Sequence, residues 1–379
     1  MFVALILSAN SILSANKPDF TKAAAVLEAG IKDGAYPGCT VVVGNEDKIL
    51  WSAAFGHMEY SDKEPVTKET MYDLASLTKV TGTTSLYMRL VQLGKVDIHA
   101  RVSQYLPEFL ERAPSEAERK KRKQITVENL LTHTSGLPSG RPLYKTTKNY
   151  QEMIQAACQV PLESDPGAVF RYSDLNMILA GEIAGRVGGK PSWQLERELV
   201  FDPLGMKDTM RNPPASLIPR IAPTEFKVGT ETPWRGIVHD ENSRGGGGIT
   251  GHAGLFSTGE SLAKLATELL LALDGKGKIM SQKVVADFVR PHVIGHNSDR
   301  GLGWGYTEHK DYEPRSPDQR PLYHTGFTGT SFEIDPVRKI YIILLTNRVY
   351  PTRDNQKVQS VRHHLPEEVL RALDEAAKP

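Results

Sequence analysis

The feature that most constrains the fold is the placement of strand-like segments near both ends of the 379-residue chain. Near the N-terminus, β-rich runs at residues 39–43 and 49–54 flank a polar turn. Near the C-terminus, residues 302–307 resemble a strand, and residues 331–334 and 339–346 predict a hairpin. Between these ends, helix-like runs alternate with long loops. We therefore predict an α+β fold in which both chain ends form one antiparallel sheet around an inserted, mainly helical region.

The same pattern predicts the division of the chain. Residues 18–69 and 300–379 are assigned to the sheet part, whose flanking helices are expected at residues 22–31 and 367–377, and residues 70–299 to the helical part. The two parts are expected to form one catalytic unit.

Residues 1–17 form a separate N-terminal segment in this division. Their apolar run at 2–7 is shorter than that of a secretory signal and lacks a basic start. A short signal remnant, a trimmed end and ordinary N-terminal structure all remain open. We expect a periplasmic or secreted protein, with a cytoplasmic one as the alternative.

Composition excludes several classes of protein. Hydrophobic residues make up 40% of the chain and charged residues 24%, as in globular proteins rather than disordered ones. Lys and Arg number 46 against 45 Asp and Glu, so the basic surplus of a nucleic-acid-binding protein is missing. The cysteines, Cys39 and Cys158, exclude a disulfide framework. No apolar run reaches the ~18 residues of a transmembrane helix. The oligomeric state stays open.

Two sequence patterns resemble a metal-binding and a cofactor-binding motif, but the residues around them do not fit either function. His292 and His296 are four residues apart, but Pro291 and Gly295 interrupt the helix that a zinc site would need. Residues 246–251 match a dinucleotide-binding glycine pattern, yet the segment before them is polar and not strand-like. We therefore predict no metal and no cofactor.

The informative motif is Ser-x-x-Lys at Ser76 and Lys79. It also occurs at residues 14–17 and 261–264, so the string alone is weak and most often marks a helix cap. Ser76 differs because a helix-like run at 80–93 follows it, and residues i and i+3 share one helix face. A neutral Lys79 could take the serine proton, while the helix N-terminus favours the alkoxide.

Two further motifs follow in order. Tyr172-Ser173-Asp174 comes 96 residues after Ser76, before an apolar helix, and His324-Thr325-Gly326 comes another 152 residues later. Tyr-Ser-Asp also occurs at residues 60–62, so the evidence lies in the ordered set of three motifs rather than in one string.

This ordered set resembles the class C β-lactamase-like serine hydrolases, which include DD-peptidases and family VIII esterases. Their motifs are Ser-x-x-Lys, Tyr-x-Asn and Lys/His-Thr-Gly. Segments 125–137, 203–206 and 251–258 are also similar to this family, and the resemblance spans residues 22–348. It implies an antiparallel sheet flanked by terminal helices plus a helical domain, which agrees with the pattern above.

The resemblance implies a role for each matching residue. Ser76 is the acylated nucleophile, and Lys79 and Tyr172 form the proton-transfer pair, with the choice of base left open. The backbone N–H groups of Ser76 and Phe327, the latter placed on an edge strand, form the oxyanion hole. The 324–326 motif contributes to substrate binding, with His324 and Thr325 contacting a substrate carboxylate or Tyr172.

Two positions depart from the family pattern. His324 stands where β-lactamases usually have lysine, so a permanent positive charge is lost unless the imidazole is protonated. Asp174 stands where the pattern has asparagine, and an ionised carboxylate cannot donate a hydrogen bond to a substrate carbonyl. Both changes weaken a strict penicillinase interpretation more than they weaken acyl transfer.

We therefore predict a serine acyl hydrolase that works through a covalent acyl-enzyme, of the β-lactamase or DD-carboxypeptidase type. A carboxylesterase is the first alternative. A penicillin-binding sensor that is acylated without turnover is an alternative of another class, and deacylation kinetics separate it from an enzyme. The expected substrate is a small molecule or a peptidoglycan peptide.

Overall fold

A computed structural model describes residues 17–61, 63–295, 298–307, 316 and 319–378. Residues 1–16, to which the signal-remnant hypothesis applies, and His296 lie outside the described residues.

The strands fall into two groups along the chain. They are β1 (Gly38–Asn45), β2 (Ile49–Gly56), β3 (Tyr72–Asp73), β4 (Met210–Arg211), β5 (Leu255–Ser257), β6 (Gly305–Tyr306), β7 (Leu322–Thr325), β8 (Ser331–Asp335) and β9 (Ile340–Thr346).

The main sheet joins the two ends of the chain. Its strand order is β2-β1-β9-β8-β7-β6, and neighbouring strands pair antiparallel. The junction is the β1–β9 pair, in which Val41 faces Leu344. Because β1 and β9 are buried almost throughout, they read as continuous apolar runs rather than as alternating ones. The predicted α+β sheet built from both chain ends is confirmed.

Helices cover both faces of this sheet and fill the middle of the chain. They are α1 (Thr21–Lys32), α2 (Ser85–Gln92), α3 (Val102–Tyr105), α4 (Glu108–Glu111), α5 (Glu116–Arg122), α6 (Val127–Leu131), α7 (Tyr150–Gln159), α8 (Asp174–Gly188), α9 (Ser192–Glu196), α10 (Asp202–Leu204), α11 (Glu241–Gly245), α12 (Gly259–Leu273), α13 (Gln282–Val289) and α14 (Val358–Ala376), with π-helical turns at Lys79–Thr84 and Arg197–Phe201 and 3₁₀ turns at Leu143–Lys145 and Ala215–Arg220. None of the described helices combines the length and apolarity that crossing a bilayer requires.

Two apolar cores hold the layers together. The terminal helices α1 and α14 pack on one face of the main sheet, with Leu27 and Val369 fully buried there. The larger core fills the other face and the helical region, and includes Trp304 and Phe332 in edge-to-face contact. The sheet therefore lies between two layers of helices.

The predicted boundaries of the helical part, near residues 70 and 299, stay predictions.

Several elements differ from their predicted bounds. The strand expected at 302–307 is reduced to the two residues of β6, and α14 begins at Val358 rather than at residue 367. Pro366 lies inside α14, so the helix continues on the N-terminal side of this proline. The sequence also missed a small second sheet of order β3-β5-β4, whose strands have only two or three residues. Such short strands carry too little pattern for detection.

Candidate active site

Ser76 lies at the junction of the small second sheet and the helical region. Strand β3 ends at Asp73, and Ala75 takes a left-handed conformation with φ of 45°. A residue with a Cβ is strained there by about 1–2 kcal/mol, so the surrounding contacts must hold this turn. The π-helical turn that begins at Lys79 then places the Lys79 Nζ atom 2.9 Å from Ser76 Oγ. The i, i+3 geometry predicted from the sequence is confirmed.

Lys79 is fully buried and lies among oxygen atoms. Its Nζ atom is 2.7 Å from Asp174 Oδ1 and donates to the His252 carbonyl at 3.1 Å. Burial alone would lower the pKa of Lys79, but the Asp174 carboxylate, and then Tyr172, outweigh it and raise the pKa above its ordinary value. A neutral Lys79 in the resting site is therefore not supported. Lys79 is an ammonium ion, and Asp174, where the family pattern has asparagine, keeps it charged.

Tyr172 is held beside this ammonium by the start of α8. The ring centroid of Tyr172 is 4.9 Å from Lys79 Nζ. The next residue, Ser173, donates its N–H to His133 Nδ1 at 3.2 Å and its hydroxyl to the Pro138 carbonyl at 2.6 Å. Asp174 then occupies the first turn of α8, where the helix dipole favours an acidic side chain. The second motif thus places one aromatic and one acidic group against Lys79.

His324 lies on β7 with its ring 6.0 Å, centroid to centroid, from that of Tyr172. Burial, together with the charges of Lys79 and Arg300, lowers the pKa of His324 to about 3. Its Nδ1 atom is 2.9 Å from the Thr325 carbonyl oxygen, which fixes that nitrogen as the donor. His324 is neutral near pH 7, so the hypothesis that it binds a carboxylate as an imidazolium is not supported.

The third motif continues into a turn rather than along an edge strand. Strand β6 forms the edge, β7 lies inside it, and Phe327 belongs to the turn between β7 and β8, which corrects the predicted placement. A Cβ atom on Gly326 would collide with the Leu74 carbonyl, so only glycine allows this close approach. The third motif is therefore packed directly against the segment that precedes Ser76.

Two backbone amides fit the predicted oxyanion hole. Ser76 and Phe327 line the same cleft of about 410 Å³, together with Tyr172 and residues 324–326. Within the described chain, neither the Ser76 nor the Phe327 N–H donates to another protein group. Unpaired amides beside a nucleophile are free to bind a developing oxyanion.

Three arginines, which sequence reasoning missed, line the other wall of the cleft: Arg300, Arg348 and Arg362. None of the described residues that line this cleft carries a carboxylate, and Arg300 and Arg362 each leave a buried Nε atom without a partner. Burial lowers the pKa of Arg300 and that of Arg362, which marks both as charges without full compensation. The three arginines therefore give the cleft a positive charge that is suited to an anionic group.

Among the described residues, two clusters have the composition of a metal site. Asp174, Asp240 and His252 place ligand atoms within 4.8 Å of one another. The Lys79 ammonium already lies against Asp174, however, and His252 Nε2 bonds Asp240 Oδ1 at 2.8 Å. The second cluster, His363, His364 and Glu367, lies on the outer surface of α14. The prediction that the protein uses no metal stays a prediction.

A larger cavity of about 610 Å³ lies elsewhere, between α7, α8 and the start of α9. It contains none of the three motifs, and its charged Arg186 and Lys190 are paired with glutamates. Size alone does not identify the chemistry, and the smaller cleft with Ser76 is the candidate active site.

The fold and the Ser-x-x-Lys site together are typical of serine hydrolases. The sequence model of the family described as "Beta-lactamase" matches residues 23–365. A relative named "Putative D-alanyl-D-alanine carboxypeptidase", from Salmonella agona (strain SL483), is 32% identical over 365 residues, covering 86% of this chain and 82% of the relative. The chain therefore belongs to the beta-lactamase family of serine hydrolases.

Solved structures agree on the fold. A family VIII carboxylesterase has a TM-score of 0.72 and 23% identity, with 93% of this chain and 97% of that one covered. A class C beta lactamase from Rhodobacter sphaeroides has a TM-score of 0.70 and 20% identity, with 92% and 98% covered. Because the sequence identities to these two structures are below 25%, the similarity shows a shared fold and nothing more. The roles assigned above to Ser76, Lys79, Tyr172 and the 324–327 turn remain proposals.

Proposed function

We propose that this protein is a serine DD-carboxypeptidase, which removes the C-terminal residue from peptides that end in a D-amino acid. The observation that carries the proposal is the arginine wall, formed by Arg300, Arg348 and Arg362, in the same cleft as Ser76. A free C-terminal carboxylate lies one residue from the scissile bond and supplies the negative charge that this wall lacks. The name of the Salmonella relative points to the same reaction.

The reaction divides into two acyl transfers. The Ser76 oxygen attacks the peptide carbonyl carbon and releases its proton to the Lys79–Tyr172 pair. The Ser76 and Phe327 amides would stabilise the oxyanion. When the C–N bond breaks, the leaving amine takes up the proton, and the D-amino acid departs. Water then hydrolyses the Ser76 ester by the same proton route and regenerates the hydroxyl.

The positive charge on Lys79 limits which group can take up the serine proton. Because Asp174 holds the Lys79 ammonium, Lys79 acts as a hydrogen-bond donor to Ser76 Oγ in the resting site. Tyr172 then relays the proton: its hydroxyl oxygen takes up the serine proton as its own proton passes to the leaving amine, while the Lys79 ammonium stabilises the charge that develops. Arginines rather than the neutral His324 supply the charge that binds the substrate carboxylate. A β-lactam, which also carries a carboxylate, fits the same cleft as an acylating agent.

A substrate comparison tests the proposal. The hydrolysis of an N-acylated peptide ending in D-Ala-D-Ala is compared with that of its C-terminal amide and of a neutral p-nitrophenyl ester. Since a hydrogen bond to a charged group contributes about 1.5–3 kcal/mol, we expect the free acid to exceed the amide in kcat/KM by about 10- to 100-fold. Arg300→Gln should erase most of that preference. Equal cleavage of acid and amide, or cleavage of the ester alone, contradicts the proposal and favours an esterase.

A matched control variant distinguishes the loss of the Arg300 charge in the cleft from the loss of any arginine charge in the protein. Arg197 is an exposed arginine whose charge is paired with Asp202 on the surface. Arg197→Gln removes the same charge from the molecule, and it should leave the preference for the free acid unchanged.

The expected location follows from the substrate. Peptides that end in D-amino acids belong to the cell wall, so under this proposal the enzyme works outside the cytoplasm. Retention of activity in the periplasmic or culture fraction of an expressing cell would agree, and activity confined to the cytoplasm would contradict it.

A further inference from the structure

Asp73 connects the two segments that carry the candidate oxyanion-hole amides with the segment that carries His239. Its side chain is buried, with Oδ1 accepting the Ala75 N–H at 2.8 Å and Oδ2 accepting the His239 N–H at 2.6 Å. Its backbone carbonyl accepts the Thr328 hydroxyl at 2.6 Å. One residue therefore bonds the nucleophile turn, the segment that carries His239, and the turn between β7 and β8.

The first of these contacts holds a strained turn. Ala75 has a positive φ that an alanine adopts only at a cost. The Asp73 carboxylate bonds the amide of this residue, which stabilises the unusual conformation and fixes the direction of the next amide, that of Ser76. The Ser76 N–H is one of the two free donors beside the nucleophile.

The other contacts hold the second donor. Thr328 directly follows Phe327 and donates to Asp73, while Thr330 donates to the Leu74 carbonyl at 3.2 Å. The Phe327 ring is 46% exposed at the cleft, but it stacks on the His239 ring with a centroid distance of 5.8 Å. The Phe327 carbonyl accepts from Arg348 Nε at 2.8 Å. The contacts through Asp73, in addition to the main sheet, therefore fix the position of the Phe327 amide relative to the Ser76 amide.

We propose that Asp73 and Thr328 are positioning residues that set the spacing of the two oxyanion-hole amides. The inference rests on the proposed acyl transfer at Ser76 and deepens it, since neither residue touches the reacting atoms. Both oxygens of Asp73 accept from backbone amides, so the ionised carboxylate suits the site and an amide side chain does not. Burial raises the pKa of Asp73 above its ordinary value, and the two amide bonds oppose that rise only in part.

The test uses variants of the full chain that differ by single atoms. Thr328→Val removes the hydroxyl that bonds Asp73 and keeps the shape of the side chain. Thr328→Ser retains the hydroxyl. Thr40→Val is the matched control, because Thr40 is a buried threonine of β1 whose hydroxyl has no partner within the described chain. Asp73→Asn is a second test variant, which replaces the carboxylate that accepts the Ala75 and His239 amides.

Two readouts separate positioning from stability. A boronic acid forms a tetrahedral adduct with the nucleophile, so its affinity reports on the oxyanion hole. The KM for the D-Ala-D-Ala peptide reports on binding of the substrate before reaction. Removing an oxyanion-hole donor lowers kcat by about 10²–10³-fold, so displacing one should lower kcat and boronate affinity together by about tenfold or more. Thr328→Val and Asp73→Asn should show this loss with KM changed less than twofold, and Thr328→Ser should restore both values.

The result is interpretable whatever the natural substrate is. Boronate affinity needs no peptide, so a failure of the DD-carboxypeptidase proposal leaves this readout intact. The inference is overturned if folded Thr328→Val keeps boronate affinity within twofold of wild type, or if Thr40→Val loses as much. Should Asp73→Asn not fold, as judged by its thermal transition, Thr328→Val decides the matter alone.

Discussion

At the scale of single residues, the site differs from its family pattern chiefly through Asp174. A carboxylate 2.7 Å from Lys79 Nζ changes the protonation state of that amine, and no neutral asparagine would do so. The pair Lys79–Asp174 therefore acts as one unit with no net charge. Under the proposed mechanism, this unit limits Lys79 to donating a hydrogen bond to Ser76 Oγ, and Tyr172 relays the serine proton.

We predict that Asp174→Asn moves the alkaline limb of the activity profile. In the wild type the raised pKa keeps Lys79 charged through the accessible alkaline range. Without the carboxylate, burial lowers the pKa of Lys79, so the ammonium and the activity that depends on it should be lost as pH rises, at a lower pH than in the wild type. The measurement is kcat/KM against pH for both proteins. An unchanged alkaline limb, or activity that increases as Lys79 loses its proton, would support a neutral lysine base instead.

The sequence predicted some of these residues better than others. Ser76, Lys79 and Tyr172 meet in one place, as their ordered motifs indicated. The charge of Lys79 was not predictable, because it depends on the distance to Asp174, 95 residues away along the chain. The position of Arg362 was not predicted for a different reason. The last helix was expected to begin at residue 367, which left Arg362 outside it, whereas Arg362 lies on α14 and donates to the Gly326 and Thr330 carbonyls at 2.8 Å.

At the scale of elements, the site depends on short segments that carry almost no sequence signal. Strand β4 has two residues, yet its Arg211 forms a two-pronged ion pair with Glu196, with both contacts at 2.9 Å. The same arginine donates to the Thr250 and Ala253 carbonyls at 2.8 and 3.0 Å. It thereby holds the loop in which the His252 carbonyl accepts from Lys79.

We predict that Glu196→Gln destabilises the protein strongly. The side chains of Arg211 and Glu196 are 2% and 0% exposed, so the change leaves a buried guanidinium without its counter-charge. Breaking such a pair costs about 3–5 kcal/mol, whereas replacing both partners by apolar residues of similar size costs much less. Urea unfolding of Glu196→Gln, and of the double variant Glu196→Leu with Arg211→Met, measures both values. A single variant within about 1 kcal/mol of wild type would show that the two carbonyl contacts suffice.

Long periodic elements were predicted well and local departures from them were not. Helix α1 and the hairpins β1–β2 and β8–β9 appear within a few residues of their expected bounds, because burial on one or both faces imposes a pattern on them. The run after Ser76 was predicted as one helix, but it begins with a π-helical turn. Such turns are frequent at functional sites, and they arise from tertiary contacts that a single sequence does not display.

At the scale of the whole molecule, the cleft forms where the sheet meets the helical region. The Ser76 segment comes from the small sheet, Tyr172 from the start of α8, His324 from β7 and Arg362 from the C-terminal helix. The β1–β9 pair joins the N-terminal strands to the C-terminal strands of the same sheet. The fold class was therefore visible in the order of elements, whereas the charge distribution of the cleft required the assembled structure.

The central claim is that Ser76 is the nucleophile of an acyl-transfer enzyme, and covalent labelling tests it most directly. The purified protein is treated with a fluorophosphonate, and the adduct is located by intact-mass and peptide-mapping mass spectrometry. We predict a single adduct on Ser76, absent from Ser76→Ala, together with a loss of several orders of magnitude in kcat in that variant. Labelling that persists in Ser76→Ala, or that maps to Ser135, Ser257 or Ser261, would contradict the assignment.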